Sequence, residues 1–92
     1  MSEEFLQRSA TIVNRRGLHA RAAAKFVKLA SQFNAEILVS HRGTEVSGRS
    51  IMGLMMLAAA TGCTIELKAK GTQAAEVLDA IVALVESKFD ED

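Results

Sequence analysis

Gly17-Leu18-His19-Ala20-Arg21-Ala22-Ala23-Ala24-Lys25-Phe26-Val27 is a loop turning into a helix. Ala22, Ala23, Phe26, Val27, Ala30 and Phe33 recur at the three- and four-residue spacing of one helical face. That spacing predicts a helix from Ala20 to about Gln32, with Arg21, Lys25, Lys28 and Ser31 facing water and Asn34 as its stop signal. His19 then stands at the N-cap. The first backbone N–H groups of a helix lack intrahelical partners, and the macrodipole adds partial positive charge. Such a place favours an anion, and Arg21 could add a forked, charge-assisted pair to a phosphate. The same field disfavours imidazolium, so the expectation is a neutral His19 with a free ring nitrogen able to act as a nucleophile. The plainer alternative makes His19 an ordinary helix-start residue and Arg21 a solvated charge.

Upstream, Leu6, Ala10 and Ile12 alternate with Gln7, Ser9 and Thr11, a half-buried strand interrupted by Arg8. Asn14-Arg15-Arg16-Gly17 forms the loop that delivers His19. Downstream, residues 35–41 read as a second strand with Ile37 and Val39 on one face, and Arg42-Gly43 as a tight hairpin turn into a return strand, Thr44 to Ser47. Ser50 opens a short helix reaching about Leu57. A fourth strand follows, in which Ile65, Leu67 and Ala69 alternate with Glu66, Lys68 and Lys70. Thr72 or Gln73 caps a last helix whose stripe is Ala74, Val77, Leu78, Ile81, Val82 and Val85. The order β-α-β-β-α-β-α, with one apolar face per element, gives a two-layer α+β sandwich. Periodicity leaves the strand order open. The first four and last three residues, including Asp90-Glu91-Asp92, are expected to be unordered.

Ninety-two residues suit one domain, 1–92, with a modest core. The chain has no Trp, Tyr or Pro, so small aliphatic residues must fill that core. Eleven basic residues balance eleven acidic ones, leaving no global field to recruit nucleic acid or an anionic membrane. Arg8, Arg15, Arg16, Arg21, Lys25 and Lys28 nevertheless cluster in the first third, and this basic end is expected to meet an acidic partner surface. The single cysteine, Cys63, cannot close an internal disulfide and reads as a small hydrophobe in a reducing compartment. The acidic start lacks a signal peptide's basic and apolar regions, and the apolar run 51–60 is too short to span a membrane. A cytoplasmic protein is expected. His41 reads as a turn residue. His19, His41 and Cys63 lack metal-site spacing, so no metal is expected, and no nucleotide-binding fingerprint implies a cofactor.

The segment Gly17–Arg21 running into Ala22–Val27 resembles the active-site segment of the HPr family, the histidine phosphocarriers of the bacterial phosphotransferase system. Ser50-Ile51-Met52-Gly53-Leu54-Met55 resembles that family's regulatory-serine segment, at the family's spacing. The resemblance implies an open-faced sandwich in which a four-stranded antiparallel sheet is covered on one face by three helices. It implies that His19 accepts a phosphoryl group from enzyme I, itself charged by phosphoenolpyruvate, and passes it to an EIIA-type domain. Arg21 and the backbone N–H groups of Ala20 and Arg21 would steady the phosphate. Ser50 would be the target of a serine kinase and phosphorylase. Arg16, Leu18, Ala22, Ile51, Met52 and Met55 would meet partners, with Met52 and Met55 as an adaptable apolar patch on a short helix that is apolar nearly all round. The chain would be a monomeric carrier rather than a turnover enzyme. It departs from many relatives in having Ala22 where proline follows the arginine, and in the paired Arg15 and Arg16. Two alternatives stay open: a regulatory, nitrogen-linked phosphotransferase carrier, and a partner- or ligand-binding α+β module whose His19 is never phosphorylated.

Overall fold

Hydrophobic alternation and helical stripes produce the expected seven elements: β1 (Leu6–Thr11), α1 (Ala20–Ala30), β2 (Glu36–His41), β3 (Thr44–Ser47), α2 (Ile51–Met56), β4 (Thr64–Lys70) and α3 (Ala74–Glu86). A 3-10 turn, Lys88–Asp90, follows them. The structure is a computed structural model that describes residues 4–91. The sheet order is β1-β4-β2-β3 with every neighbouring pair antiparallel. This open-faced, four-stranded sheet packed under helices matches the architecture implied by the resemblance.

Register explains which face is covered. Ile65 lies opposite Ala10, Leu67 opposite both Arg8 and Val39, and Ala69 opposite Leu6 and Ile37. These positions point under the helices, and Ala10, Ile37, Val39, Ile65, Leu67 and Ala69 are all buried. Glu66, Lys68 and Lys70 take the other face, where Lys68 Nζ lies 3.1 Å from Glu45. Arg8 shares the core-facing parity of β1, an edge strand. Rather than entering the core, its guanidinium reaches over to Asp79 of α3 at 3.7 Å. At the hairpin Arg42 and Gly43 both have positive φ, 53° and 84°, the backbone of a two-residue type I′ turn.

Helix α1 is shorter than its apolar spacing suggests. Beyond Ala30 the N–H groups of Gln32 and Phe33 bond back three residues to Leu29 and Ala30, a 3-10-type tightening. Asn34 follows, with both backbone groups engaged: its N–H donates to Gln73 Oε1 (2.7 Å) and its carbonyl accepts from Gln73 N–H (3.1 Å). Gln73 is therefore the N-cap of α3 by position only, because its side chain holds the α1–β2 connection instead.

The C-terminal end corrects the expectation of an unordered tail. Lys88, Phe89 and Asp90 take φ of 63°, 54° and 59°, three successive non-glycine residues in left-handed backbone. Each such residue costs roughly 1–2 kcal/mol. Phe89 is fully buried, which offsets part of that at roughly 1.5–3 kcal/mol. Its carbonyl accepts a 2.6 Å hydrogen bond from Lys25 Nζ, so Lys25 is half-buried and turned to the tail rather than to water. Asp90 and Glu91 are held as a consequence. Glu4 is exposed coil, while residues 1–3 and 92, also expected to be unordered, lie outside the described residues. Among the described residues no helix is long and apolar enough to cross a membrane.

Candidate functional site

The loop before α1 is fastened down by a glycine and an asparagine. Gly17 has φ of 65°, and a Cβ there would sit 2.4 Å from the Ala59 carbonyl oxygen and 2.9 Å from Ala60 Cα. That close approach lets Leu18 N–H donate to the same Ala59 carbonyl at 3.0 Å. Asn14 is buried; its Nδ2 donates to the Gly17 carbonyl at 2.9 Å, and its own carbonyl accepts from Gly17 N–H (3.3 Å) and from Thr61 Oγ1. The chain leaves this anchored loop at His19, the N-cap of α1, in extended backbone (φ −77°, ψ 177°). The His19 carbonyl accepts from Ala23 N–H at 2.8 Å, and its ring makes no capping bond. The N–H groups of Ala20, Arg21 and Ala22 thus have no partner within the helix.

The His19 ring is held from the opposite end of the chain. Nε2 lies 2.5 Å from Glu91 Oε2, and Glu91 Oε1 accepts from Asn14 Nδ2 at 3.1 Å. The His19 side chain is 21 % exposed and that of Glu91 16 %. One ring nitrogen is therefore engaged, where the sequence alone suggests an unencumbered ring. The Glu91 carboxyl is held below its ordinary value, chiefly by the hydrogen bond to His19, which outweighs the opposing desolvation. The Asn14 amide and the charges of His19 and Lys25 act in the same direction.

The sign of that shift gives a test. A carboxyl lowered in the folded state contributes stability that is present above the unfolded carboxylate value, roughly 4.3, and is lost as pH falls through the folded value. The tail contact is expected to persist at neutral pH and to release in the acid range below that ordinary value. The Asn14 side-chain amide resonances should report the step, and Glu91→Gln should remove it.

Arg15, Arg16 and Arg21 are exposed, and with Lys25 they line a recess whose other wall is the acidic pair Asp90 and Glu91 of the tail. Arg21 makes no ion pair among the described residues. Ser50 caps α2 as read, its Oγ accepting from Gly53 N–H at 2.9 Å. Ser50→Ala is expected to cost about 1 kcal/mol, read as a fall in Tm of roughly 4–8 °C. On α2 only Leu54 faces inward; Ile51 and Met55 are partly exposed, and Met52 and Met56 are about three-quarters exposed. Two expected partner-facing residues are placed elsewhere. Leu18 and Ala22 are buried, Leu18 where the loop closes on Ala59 and Ala22 on the inward stripe of α1, so their side chains offer no docking surface. His41 ends β2 with Nδ1 3.3 Å from the Thr64 carbonyl, and Cys63 is half-buried against the core.

Glu91, Asn14 and Met56 were missed from the sequence. Phe89 carried the available signal for Glu91, since it extends the stripe Ile81-Val85 by another four residues. An aromatic at that register can pin a tail whose acidic residues match the basic end. Met56 falls one helical turn from Met52 and so shares its outward face.

The family described as the PTS HPr component phosphorylation site matches residues 6–87. The phosphocarrier protein HPr of Cupriavidus necator is 46 % identical over 95 % of this chain and 98 % of its own length. The phosphocarrier protein NPr of Shewanella violacea is 51 % identical over 94 % of each chain. A crystal structure of HPr from Thermoanaerobacter tengcongensis superposes with a TM-score of 0.90 at 41 % identity, covering 95 % of this chain and 98 % of that one. With the matched region containing the loop, the N-terminus of α1 and Ser50, this chain belongs to the HPr family, the phosphocarrier proteins of the phosphotransferase system.

Proposed function

We propose that His19 carries the phosphoryl group, taking it from the phosphohistidine of enzyme I and giving it to a histidine of an EIIA-type domain. The observation that carries this reading is the placement of the ring at the open N-terminus of α1, with the exposed Arg21 two residues on. Because Nε2 faces Glu91, Nδ1 is the nitrogen left to attack phosphorus. Phosphohistidine is a phosphoramidate, so transfer between histidines is nearly balanced in energy. Its catalysis reduces to positioning and charge neutralisation. The backbone N–H groups of Ala20 and Arg21 and the Arg21 guanidinium supply the latter. Incubation with enzyme I and labelled phosphoenolpyruvate tests the reading: the label should be acid-labile and alkali-stable. An unlabelled chain would favour the binding-module alternative.

Arg21→Ala is expected to slow transfer by roughly tenfold to a hundredfold, while leaving Tm within a few degrees because the side chain is exposed. A large fall in Tm in Arg21→Ala would place Arg21 in the structure rather than at the phosphate.

Ile51, Met52, Met55 and Met56 form the docking patch, with Arg16 at the basic rim, and flexible methionines suit several partners on one surface. Ser50 is the site for a serine kinase and phosphorylase. A phosphate there lies at a helix N-terminus, which tolerates its charge, while two added negative charges beside the docking patch would repel an acidic partner. The chain acts in the cytoplasm as one monomeric carrier domain without cofactor or metal. The nitrogen-linked branch is kept open by the similarity to the NPr of Shewanella violacea. Comparing transfer to sugar-type and regulatory EIIA proteins separates the two.

A further inference from the structure

We infer that Glu91 is a positioning residue for His19, fixing the ring's proton on Nε2 and countering the positive charge the ring gains as it is phosphorylated. This rests on His19 being the phosphoryl acceptor. The tail that carries Glu91 lies beyond the residues 6–87 matched to the family.

Three observations converge on it. The left-handed run Lys88–Asp90 and the buried Phe89 deliver Glu91 to one place, so its carboxylate is not a free tail group. The buried Asn14 amide is oriented by two acceptors, the Gly17 carbonyl and Glu91 Oε1, and it strands its own Oδ1 without a partner to do so. Flipping that amide would set its oxygen against both acceptors. The Glu91 carboxylate is thus an integral acceptor of this loop, with one oxygen tied to the anchor of His19 and the other to the ring. Finally, Arg15, Arg16, Arg21 and Lys25 all stand nearby, yet the carboxylate is spent on His19 Nε2 at 2.5 Å.

The chemistry follows from that bond. With Nε2–H donating to Glu91, Nδ1 holds the lone pair. It attacks the phosphorus of the donor phosphohistidine; the new N–P bond forms as the donor's N–P bond breaks, and that pair returns to the donor ring. The Nε2 proton stays on His19, whose ring becomes cationic, and no proton has to leave. A carboxylate already bonded to that proton is worth most at this point, as in other histidines oriented by a carboxylate.

Glu91→Ala, Glu91→Gln and Glu86→Gln are compared with wild type. Both Glu91 variants are expected to accept label from enzyme I at least about tenfold more slowly, with Tm close to wild type. Glu86→Gln, which removes the same charge from an exposed side chain outside the recess lined by Arg15, Arg16 and Arg21, should load at the wild-type rate. Proton NMR should show a far-downfield, slowly exchanging His19 Nε2–H in wild type that is absent in Glu91→Ala. Wild-type or faster loading in both Glu91 variants would overturn the inference, as would a rapidly exchanging ring proton in wild type. A wild-type chain that takes no label would sink the carrier reading instead, and the ring-proton measurement would still judge Glu91.

Discussion

Replacing His19 by alanine is expected to abolish phosphoryl uptake outright, with the folded domain left intact. On the proposed role the substitution removes the nucleophile, and among the described residues no neighbouring side chain can substitute for it. Cys63 is half-buried behind β4's entrance and His41 sits at the β2–β3 hairpin. The backbone of His19 is already extended, as an N-cap requires, and alanine adopts that conformation freely. The ring makes no capping bond, so the helix start loses little. What is lost in structure is the contact with Glu91, a part-exposed bond whose removal should lower Tm by only a few degrees. Label surviving in the alanine variant would move the phosphorylation elsewhere, Ser50 first, where the phosphoester would be acid-stable.

Gly17→Ala is expected to be the most damaging single methyl group at this site. It incurs the left-handed backbone cost, roughly 1–2 kcal/mol, and it drives a Cβ into backbone at 2.4 Å, which no rotamer change relieves. The loop must withdraw from Ala59 and Ala60, taking with it the Leu18 hydrogen bond, worth about 1 kcal/mol. A total near 3 kcal/mol predicts a Tm lower by roughly 12–24 °C, together with slow loading because His19 follows two residues later. Gly43→Ala is the control. Gly43 also has positive φ, but a Cβ there meets nothing within 4 Å, so only the conformational cost applies. Equal melting of the two variants would show that the close approach at Gly17 does not exist.

The local periods of the chain made most of this architecture legible. Strand β4 alternates without interruption from Ile65 to Ala69, and the stripe of α3 repeats cleanly, so both elements fall where expected. His19 at the head of α1 and Ser50 at the head of α2 were readable because a glycine or a capping side chain marks each boundary. The failures share a cause. Leu18 and Ala22 were expected to meet partners through the family resemblance. The apolar stripe of α1 already placed Ala22 inward, whereas a loop residue such as Leu18 carries no sign of the segment that closes over it. Glu91 acts across 72 positions of sequence, a separation at which pairing is decided by topology, not by local pattern. Arg8 shows the same limit in reverse: its inward parity is visible, but the escape route over Asp79 depends on where α3 lies.

The turn Lys88–Asp90 has a practical corollary for handling the protein. A group inserted directly behind Glu91 would crowd the carboxylate that meets His19, so an affinity tag or fluorescent fusion placed there would report on a perturbed His19 environment. The opposite terminus enters at Leu6, the far end of β1, about 17 Å along the strand from Thr11 and the loop beyond it. Probes attached ahead of Leu6 should leave transfer kinetics untouched.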